Sequence, residues 1–192
     1  MSSSLENIEN VLKQAGVIQK GHFLLTSGLH SPVYWEKFRI IEHPDITVNL
    51  CRAIAEHFSR QGAQLVVGPT TGGIILAYEV ARQLGLRSVF AEKEGDRRVF
   101  RRGFKIKPGE MMLVVDDVLT TGKSIKEVLD SIARERGEVI GIGVLVNRSE
   151  KKLDFGVPLF SCLRSATPAY KPEECPLCAA SVPLTKPGGG QL

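Results

Sequence analysis

Two adjacent aspartates, Asp116 and Asp117, end an apolar run in the stretch LVVDDVLTTGKS (113–124) and stand just ahead of a Thr- and Gly-rich turn. The tail of this stretch, Gly-Lys-Ser, is also the tail of a nucleotide-triphosphate P-loop. That motif reads G-x-x-x-x-G-K-S/T, and its first glycine makes a sharp turn that lets backbone amides wrap a β-phosphate. Counting back from Gly122 puts Asp117 in that place. An aspartate makes the turn less easily and sets a carboxylate beside a polyphosphate, so the P-loop reading fails on sterics and on charge. A different ligand fits every residue. Thr120, Thr121, Gly122, Lys123 and Ser124 form a turn into a helix, whose free amides and partial positive charge suit one phosphate monoester. Two carboxylates just upstream suit hydroxyl groups or a metal-bridged sugar. The combination describes a ribose 5-phosphate, with its phosphate on the turn and its hydroxyls on the acids. The plainer alternative is that the acid pair only caps the next helix.

These residues need a rigid frame. From residue 62 onward the chain alternates strand, loop and helix: QLVVG, IILAYEVARQLG, LRSVFAEK, EMMLVVDD, SIKEVLDSIARERG, EVIGIGVLVNR and VPLFSCLR. Apolar β-rich runs between helices imply an α/β protein with a parallel central sheet covered on both faces. Ligands of such sheets sit at the C-terminal ends of the strands. The loops after QLVVG, VFAEK, MMLVV and GVLVN are therefore where function is expected. Ahead of this region, residues 4–15 read as an amphipathic helix capped by Ser4 and stopped by Gly16. HFLLTSG and SPVYWEKFRII read as short strand-like pieces around a Ser-Gly turn, and PDITVNLCRAIAEHFSRQG as a helix.

The chain has 192 residues, 43% of them hydrophobic, which suits one domain with a full core and a small appendage. No apolar run approaches the roughly 18 residues of a membrane span. The start lacks the basic and apolar regions of a secretory signal, so a cytoplasmic protein is expected. Net charge is +4, but RRVFRRGFKIK (97–107) holds six cations and no anion. Such a run is either a solvated loop or a cover for an anionic ligand. Nucleic-acid binding is not expected, because aromatics are few and no reader motif is present.

Of four cysteines, Cys51 and Cys162 are isolated and read as core. Cys175 and Cys178 form CPLC near the C-terminus, which reads as half of a zinc site, a redox pair or a turn with two thiols. A closed zinc site needs four ligands. No second CxxC and no nearby His-x-x-His exists, so zinc would need distant ligands or a second subunit. The tail PEECPLCAASVPLTKPGGGQL is irregular, with final residues expected to be mobile.

LVVDDVLTTGKS resembles the phosphoribosyl-pyrophosphate (PRPP) motif of type I phosphoribosyltransferases, with Asp116, Asp117, Val118, Leu119 and Thr120 to Ser124 as its residues. GHFLLTSGLHSPVYWEKFRII resembles the orotate phosphoribosyltransferase hood, and VVGPTTGGIILA resembles that family's pyrophosphate loop. The resemblance spans about residues 5–165. It implies a type I phosphoribosyltransferase domain over 1–165, with a hood of about 1–43 and a C-terminal extension at 166–192. It implies transfer of ribose 5-phosphate from PRPP to orotate, giving orotidine 5-monophosphate and pyrophosphate. A purine phosphoribosyltransferase and a PRPP-binding regulator of the same fold are the alternatives.

By the same resemblance, Asp116 and Asp117 hold the ribose, and Thr70, Thr71, Gly72 and Gly73 hold pyrophosphate. Lys93, Arg97 and Arg98 close over the leaving group as a lid. Arg148, in VNRS, pairs with the orotate carboxylate, and Thr120 also touches the base. Tyr34 and Trp35 either wall the pyrimidine or pack the hood. Mg²⁺ is implied as a cofactor carried by PRPP without a dedicated protein cage, and a homodimer as the assembly. Four positions depart from the family pattern of basic residues: Thr26, Gly72 and Asp96 stand where lysines are usual, and Glu92 stands for an arginine. Arg97, Arg98, Arg101 and Arg102 are the candidates to supply the missing charge, with Lys37 standing in near the hood.

Overall fold

Val, Ile and Leu dominate the runs between residues 65 and 164, and these runs form one sheet in the computed structural model, which describes residues 10–25, 27–149, 151–165 and 167–187. The chain divides into two units, Met1–Ile40 with Ala166–Leu192, and Ile41–Ser165. The first unit contains helical residues 10–14 (α1), β1 (Ile18–Leu24), β2 (His30–Trp35) and the start of α2 (Phe38–Glu42). It ends with a 3-10 turn, Pro172–Glu174, and a four-residue helix that we number α6 (Pro176–Ala179). The second contains α3 (Pro44–Phe58), β3 (Leu65–Pro69), α4 (Gly72–Leu84), β4 (Arg87–Glu94), β5 (Arg97–Phe100), β6 (Met111–Leu119), α5 (Lys123–Arg134), β7 (Glu138–Asn147) and β8 (Leu159–Arg164).

The six-stranded sheet has the order β5-β4-β3-β6-β7-β8, parallel throughout except for β5, which pairs antiparallel with β4. The expected parallel sheet is thus a mixed one with an antiparallel edge. From β3 the chain moves outward through β4 and β5, then returns to β6 on the other side. The direction of winding therefore reverses between β3 and β6. The crevice at the C-terminal ends of those two strands is where an open α/β sheet binds its ligand.

One face of the sheet packs on α5. Val67, Val114 and Val144 from the strands and Ile125, Val128 and Ile132 from the helix form a continuous buried cluster. The spacing of those three helical residues puts them on a single stripe. Truncating one of them, as in Ile132→Ala, would cost about 3 kcal/mol. Helix α3 packs against β7, where Phe58 and Ile54 lie directly over Gly141 and Gly143. Cys51 and Cys162 are buried as expected, and burial pushes each thiol up to about 12.

Two local expectations change. The piece SPVYWEKFRII is a strand only to Trp35, and Phe38–Glu42 is helical. The cationic run is not a loop at its start, because Arg97–Phe100 is β5. The expected helix at 4–15 is described only from residue 10, and Thr26 and the tail end at 188–192 lie outside the described residues. Among the described residues, no helix is long and apolar enough to cross a membrane.

Candidate active site

Strand β6 carries the acids into the β3/β6 crevice. It runs on through Leu119, beyond the expected end, so Asp116 and Asp117 lie within its last turn of pleat and are both buried. Each carboxylate is oriented by a backbone amide. The Asp117 N–H donates to Asp116 Oδ1 at 2.8 Å, and the Val118 N–H donates to Asp117 Oδ1 at 2.6 Å.

The loop after β3 reaches the same place. A Cβ on Gly72 would overlap Oδ2 of Asp117, so the loop backbone lies against the second acid. This gives a reason for glycine where the related pattern has lysine: a side chain here would displace the carboxylate. The Thr70–Thr71 peptide is cis. Helix α4 starts directly after it, and Thr71 does not cap that helix with its side chain.

The turn after β6 has the same character. Gly122 adopts φ +77°, a left-handed conformation that costs a glycine little, and it starts α5 with no side-chain cap. A Cβ at Gly122 would also stand 2.9 Å from the Phe155 ring. Thr120, Thr121 and Lys123 are exposed and Ser124 is half-buried. Two helix N-termini with uncapped first turns, α4 and α5, thus flank one acid pair. Such ends are anion sites, because their amides lack intrahelical acceptors.

The β4–β5 hairpin divides the cationic run between two faces. Lys93 lies opposite Arg98 and Glu94 opposite Arg97 in the ladder. Arg97 bonds Glu94 at 2.8 Å, Arg101 also pairs with Glu94, and Arg102 bonds Glu92 at 2.7 Å. Hydrogen bonds from Arg97 and then Arg101 hold the Glu94 carboxyl below its usual range, and Arg102 does the same for Glu92. The charge expected from Arg97, Arg101 and Arg102 is therefore neutralised locally. Arg97, expected at PRPP from the sequence, pairs with Glu94 here.

Arg98 is 7% exposed and does something the sequence reading missed. Its Nη1 donates to Thr70 Oγ1 at 3.2 Å and to Ala91 O at 3.0 Å, and its Nη2 donates to Ser124 Oγ at 3.2 Å. Glu127 balances its charge at 3.3 Å. One guanidinium thus joins the loop after β3 to the first turn of α5. Its own carbonyl accepts from Ser131 Oγ and from Arg134 Nη2, which anchors β5 on α5. Arg98 thus reaches both loops from β5. Period-two alternation in Arg97–Phe100 was the available signal, since it separates an outward Arg97 from an inward Arg98. Lys93 shares the Arg98 face and is exposed.

Arg148 follows β7, is half-buried, and its N–H donates to Leu119 O at 2.8 Å. That bond sets Arg148 next to the residue that opens the phosphate turn. A separate cavity of about 360 Å³, lined by Asn147, Ser149, Lys152, Asp154 and Arg164 among others, opens at the β7/β8 end and includes neither acid. Tyr34 and Trp35 belong to the first unit, on β2. Trp35 is buried, and Tyr34 lies 5.7 Å from the Phe23 ring.

The model of the phosphoribosyl transferase domain family matches residues 39–163. A curated orotate phosphoribosyltransferase from Caldanaerobacter subterraneus is 48% identical over 97% of this chain and 98% of its own length. One from Thermotoga maritima is 43% identical over 96% and 99%. The chain belongs to the orotate phosphoribosyltransferase family. Among solved structures, the orotate phosphoribosyltransferase of Aeropyrum pernix superposes with a TM-score of 0.67 at 26% identity, covering 82% of this chain and 93% of that one. An adenine phosphoribosyltransferase from Rhodothermus marinus gives 0.66 at 23% identity, covering 86% and 100%. Shape alone therefore leaves the base open. Near-full-length sequence similarity is what selects the orotate phosphoribosyltransferases within the wider fold.

Proposed function

We propose that this chain transfers ribose 5-phosphate from PRPP to orotate, releasing orotidine 5-monophosphate and pyrophosphate. The observation that carries the reading is the contact of Gly72 with Asp117, which gathers two uncapped helix starts around one acid pair. A substrate with two anionic ends and a diol between them matches that arrangement.

In the reaction the bond from ribose C1 to the pyrophosphate oxygen breaks, and a ring nitrogen of orotate bonds to C1 as its N–H proton passes to the departing pyrophosphate or to water. Positive charge grows on the ribose ring and negative charge on the departing pyrophosphate. Asp116 and Asp117 hold the ribose hydroxyls and favour the cationic ring. Thr120 to Ser124 and the start of α5 hold the 5-phosphate. Thr70 to Gly73 and the start of α4 receive pyrophosphate, with Lys93 adding charge from the hairpin. Arg148 forks onto the orotate carboxylate, a geometry in which arginine gives two charge-assisted bonds. Tyr34 and Trp35 are assigned either to the pyrimidine or to packing of the hood, and Lys37 to the hood.

The two carboxylates are hard oxygen donors of the kind Mg²⁺ accepts, but two are too few for a cage, and this ion keeps waters and leans on substrate phosphates. Held with PRPP near Asp116 and Asp117, Mg²⁺ would supply positive charge that favours departure of the pyrophosphate. We also assign a cytoplasmic homodimer. Ile75 and Tyr78, one turn apart on α4 and 44% and 65% exposed, offer an apolar face for a second copy.

The test is to mix purified protein with PRPP and Mg²⁺ and to supply either orotate or adenine. Loss of orotate absorbance with stoichiometric pyrophosphate is expected. Turnover with adenine alone would replace this assignment with a purine enzyme, and PRPP binding without turnover would indicate a regulator.

A further inference from the structure

We propose that His22, His30, Cys175 and Cys178 form a Cys₂His₂ zinc site that fastens the C-terminal segment onto the β1–β2 hairpin. All four residues belong to the first unit. Their donor atoms lie within 4.8 Å of one another.

The sequence sets this up in two steps. His30 pairs with Leu24 across the hairpin, and His22 is two residues along β1, so the two imidazoles come to one face. Their facing nitrogens, His22 Nε2 and His30 Nδ1, are 3.0 Å apart. The tail is then pinned to the hairpin on both sides of CPLC. Tyr170 and His30 exchange two backbone bonds of 2.8 Å, Leu24 N–H donates to Thr185 O at 2.9 Å, and Thr185 N–H donates to His22 O at 2.8 Å. Between those anchors, Cys175 Sγ comes 3.5 Å from His22 Nε2. Cys178 Sγ comes 3.7 Å from His22 Nε2 and 3.2 Å from His30 Nδ1.

Hydrogen bonding alone does not account for this convergence. His22 Nδ1 meets Val182 O at 2.8 Å, so Nδ1 carries the proton and Nε2 presents one lone pair. Three groups crowd that single lone pair. A cation at the centre satisfies all of them. Zinc bonds of about 2.0 Å to nitrogen and about 2.3 Å to sulfur put the corners of a tetrahedron roughly 3.3 to 3.8 Å apart, and the contacts above fall near that range. The Val182 carbonyl on the far nitrogen is the outer partner that a metal-bound histidine needs to fix its tautomer. Two thiolates with two imidazoles select zinc over the hard cation of the reaction.

The fold gives such a site a purpose. Among the described residues, the buried apolar side chains of this unit are Leu12, Val17, Phe23, Trp35, Ile40 and Cys175. A core that small calls for a staple. The ligand His30 lies on the same strand as Tyr34 and Trp35, so the metal would also steady the hood.

The test is the metal content of the full-length protein, purified without chelator and measured by inductively coupled plasma mass spectrometry. About one zinc per chain, retained through dialysis, is expected. The double variant Cys175→Ser/Cys178→Ser should lose it, and strong chelators should lower the Tm of the wild type. If the double variant is insoluble, cobalt titration of reduced, metal-free wild type decides. Thiolate-to-cobalt charge-transfer absorption is expected, and its absence would overturn the proposal. So would a Cys175–Cys178 disulfide in the intact mass, or zinc content unchanged in the double variant.

Discussion

Asp117 is held from three directions at residue scale. Val118 N–H fixes one oxygen, the Gly72 backbone abuts the other, and the carboxylate is buried. A group so confined acts by electrostatics that are set before the substrate arrives. Asp117→Asn keeps the shape and removes the charge proposed to favour the ribose cation. Loss of one preorganised electrostatic contact typically costs on the order of 3 kcal/mol in the barrier. Steady-state kinetics should therefore show kcat down by about a hundredfold, with unchanged circular dichroism. A kcat within a factor of about two of wild type would remove Asp117 from the reacting centre. Lys123 has a lesser place, since it is exposed at the start of α5 and only its backbone enters the turn, toward Thr121 Oγ1 at 3.4 Å.

Arg98 is the joint of the site at the scale of elements, because β5, α5 and the loop after β3 meet on its guanidinium. Arg98→Lys keeps a charge but loses the planar fork that reaches Thr70, Ala91 and Ser124 together. Losing hydrogen bonds from a charged group costs about 1.5 to 3 kcal/mol of stability. The variant should also raise KM for PRPP and lower kcat while leaving KM for orotate nearly unchanged. A uniform loss of active protein, with both KM values intact, would make Arg98 a purely structural residue. The elements themselves were largely legible in the sequence. QLVVG, EMMLVVDD and EVIGIGVLVNR are strands because apolar runs of that length between helical stretches have few other solutions. LVVDDVLTTGKS was legible as a site because an acid pair and an uncapped helix start are both local features. The hairpin was not. Its cations looked like one charged loop, and only pairing with Glu92 and Glu94 on β4 separates Arg97 from Arg98. Nor were the partners of CPLC, because His22 and His30 reach Cys175 and Cys178 only through contacts about 150 residues apart in sequence.

The whole molecule combines a sheet whose winding reverses at β3/β6 with a separate unit formed from both ends of the chain. The sheet gives both proposed phosphate loops a common origin, since each grows from the reversal point. Selection of the base must come from groups added at its margin, and Arg148, held beside Leu119, is the residue we propose for it. A charge-assisted bond is worth about 1.5 to 3 kcal/mol, or roughly ten- to a hundredfold in affinity. The most direct measurement is therefore the pair of KM values for orotate and PRPP in Arg148→Ala. The arrangement predicts a KM for orotate raised by at least about tenfold, with the KM for PRPP changed by less than about threefold. Equal changes in both, or none in either, would contradict it.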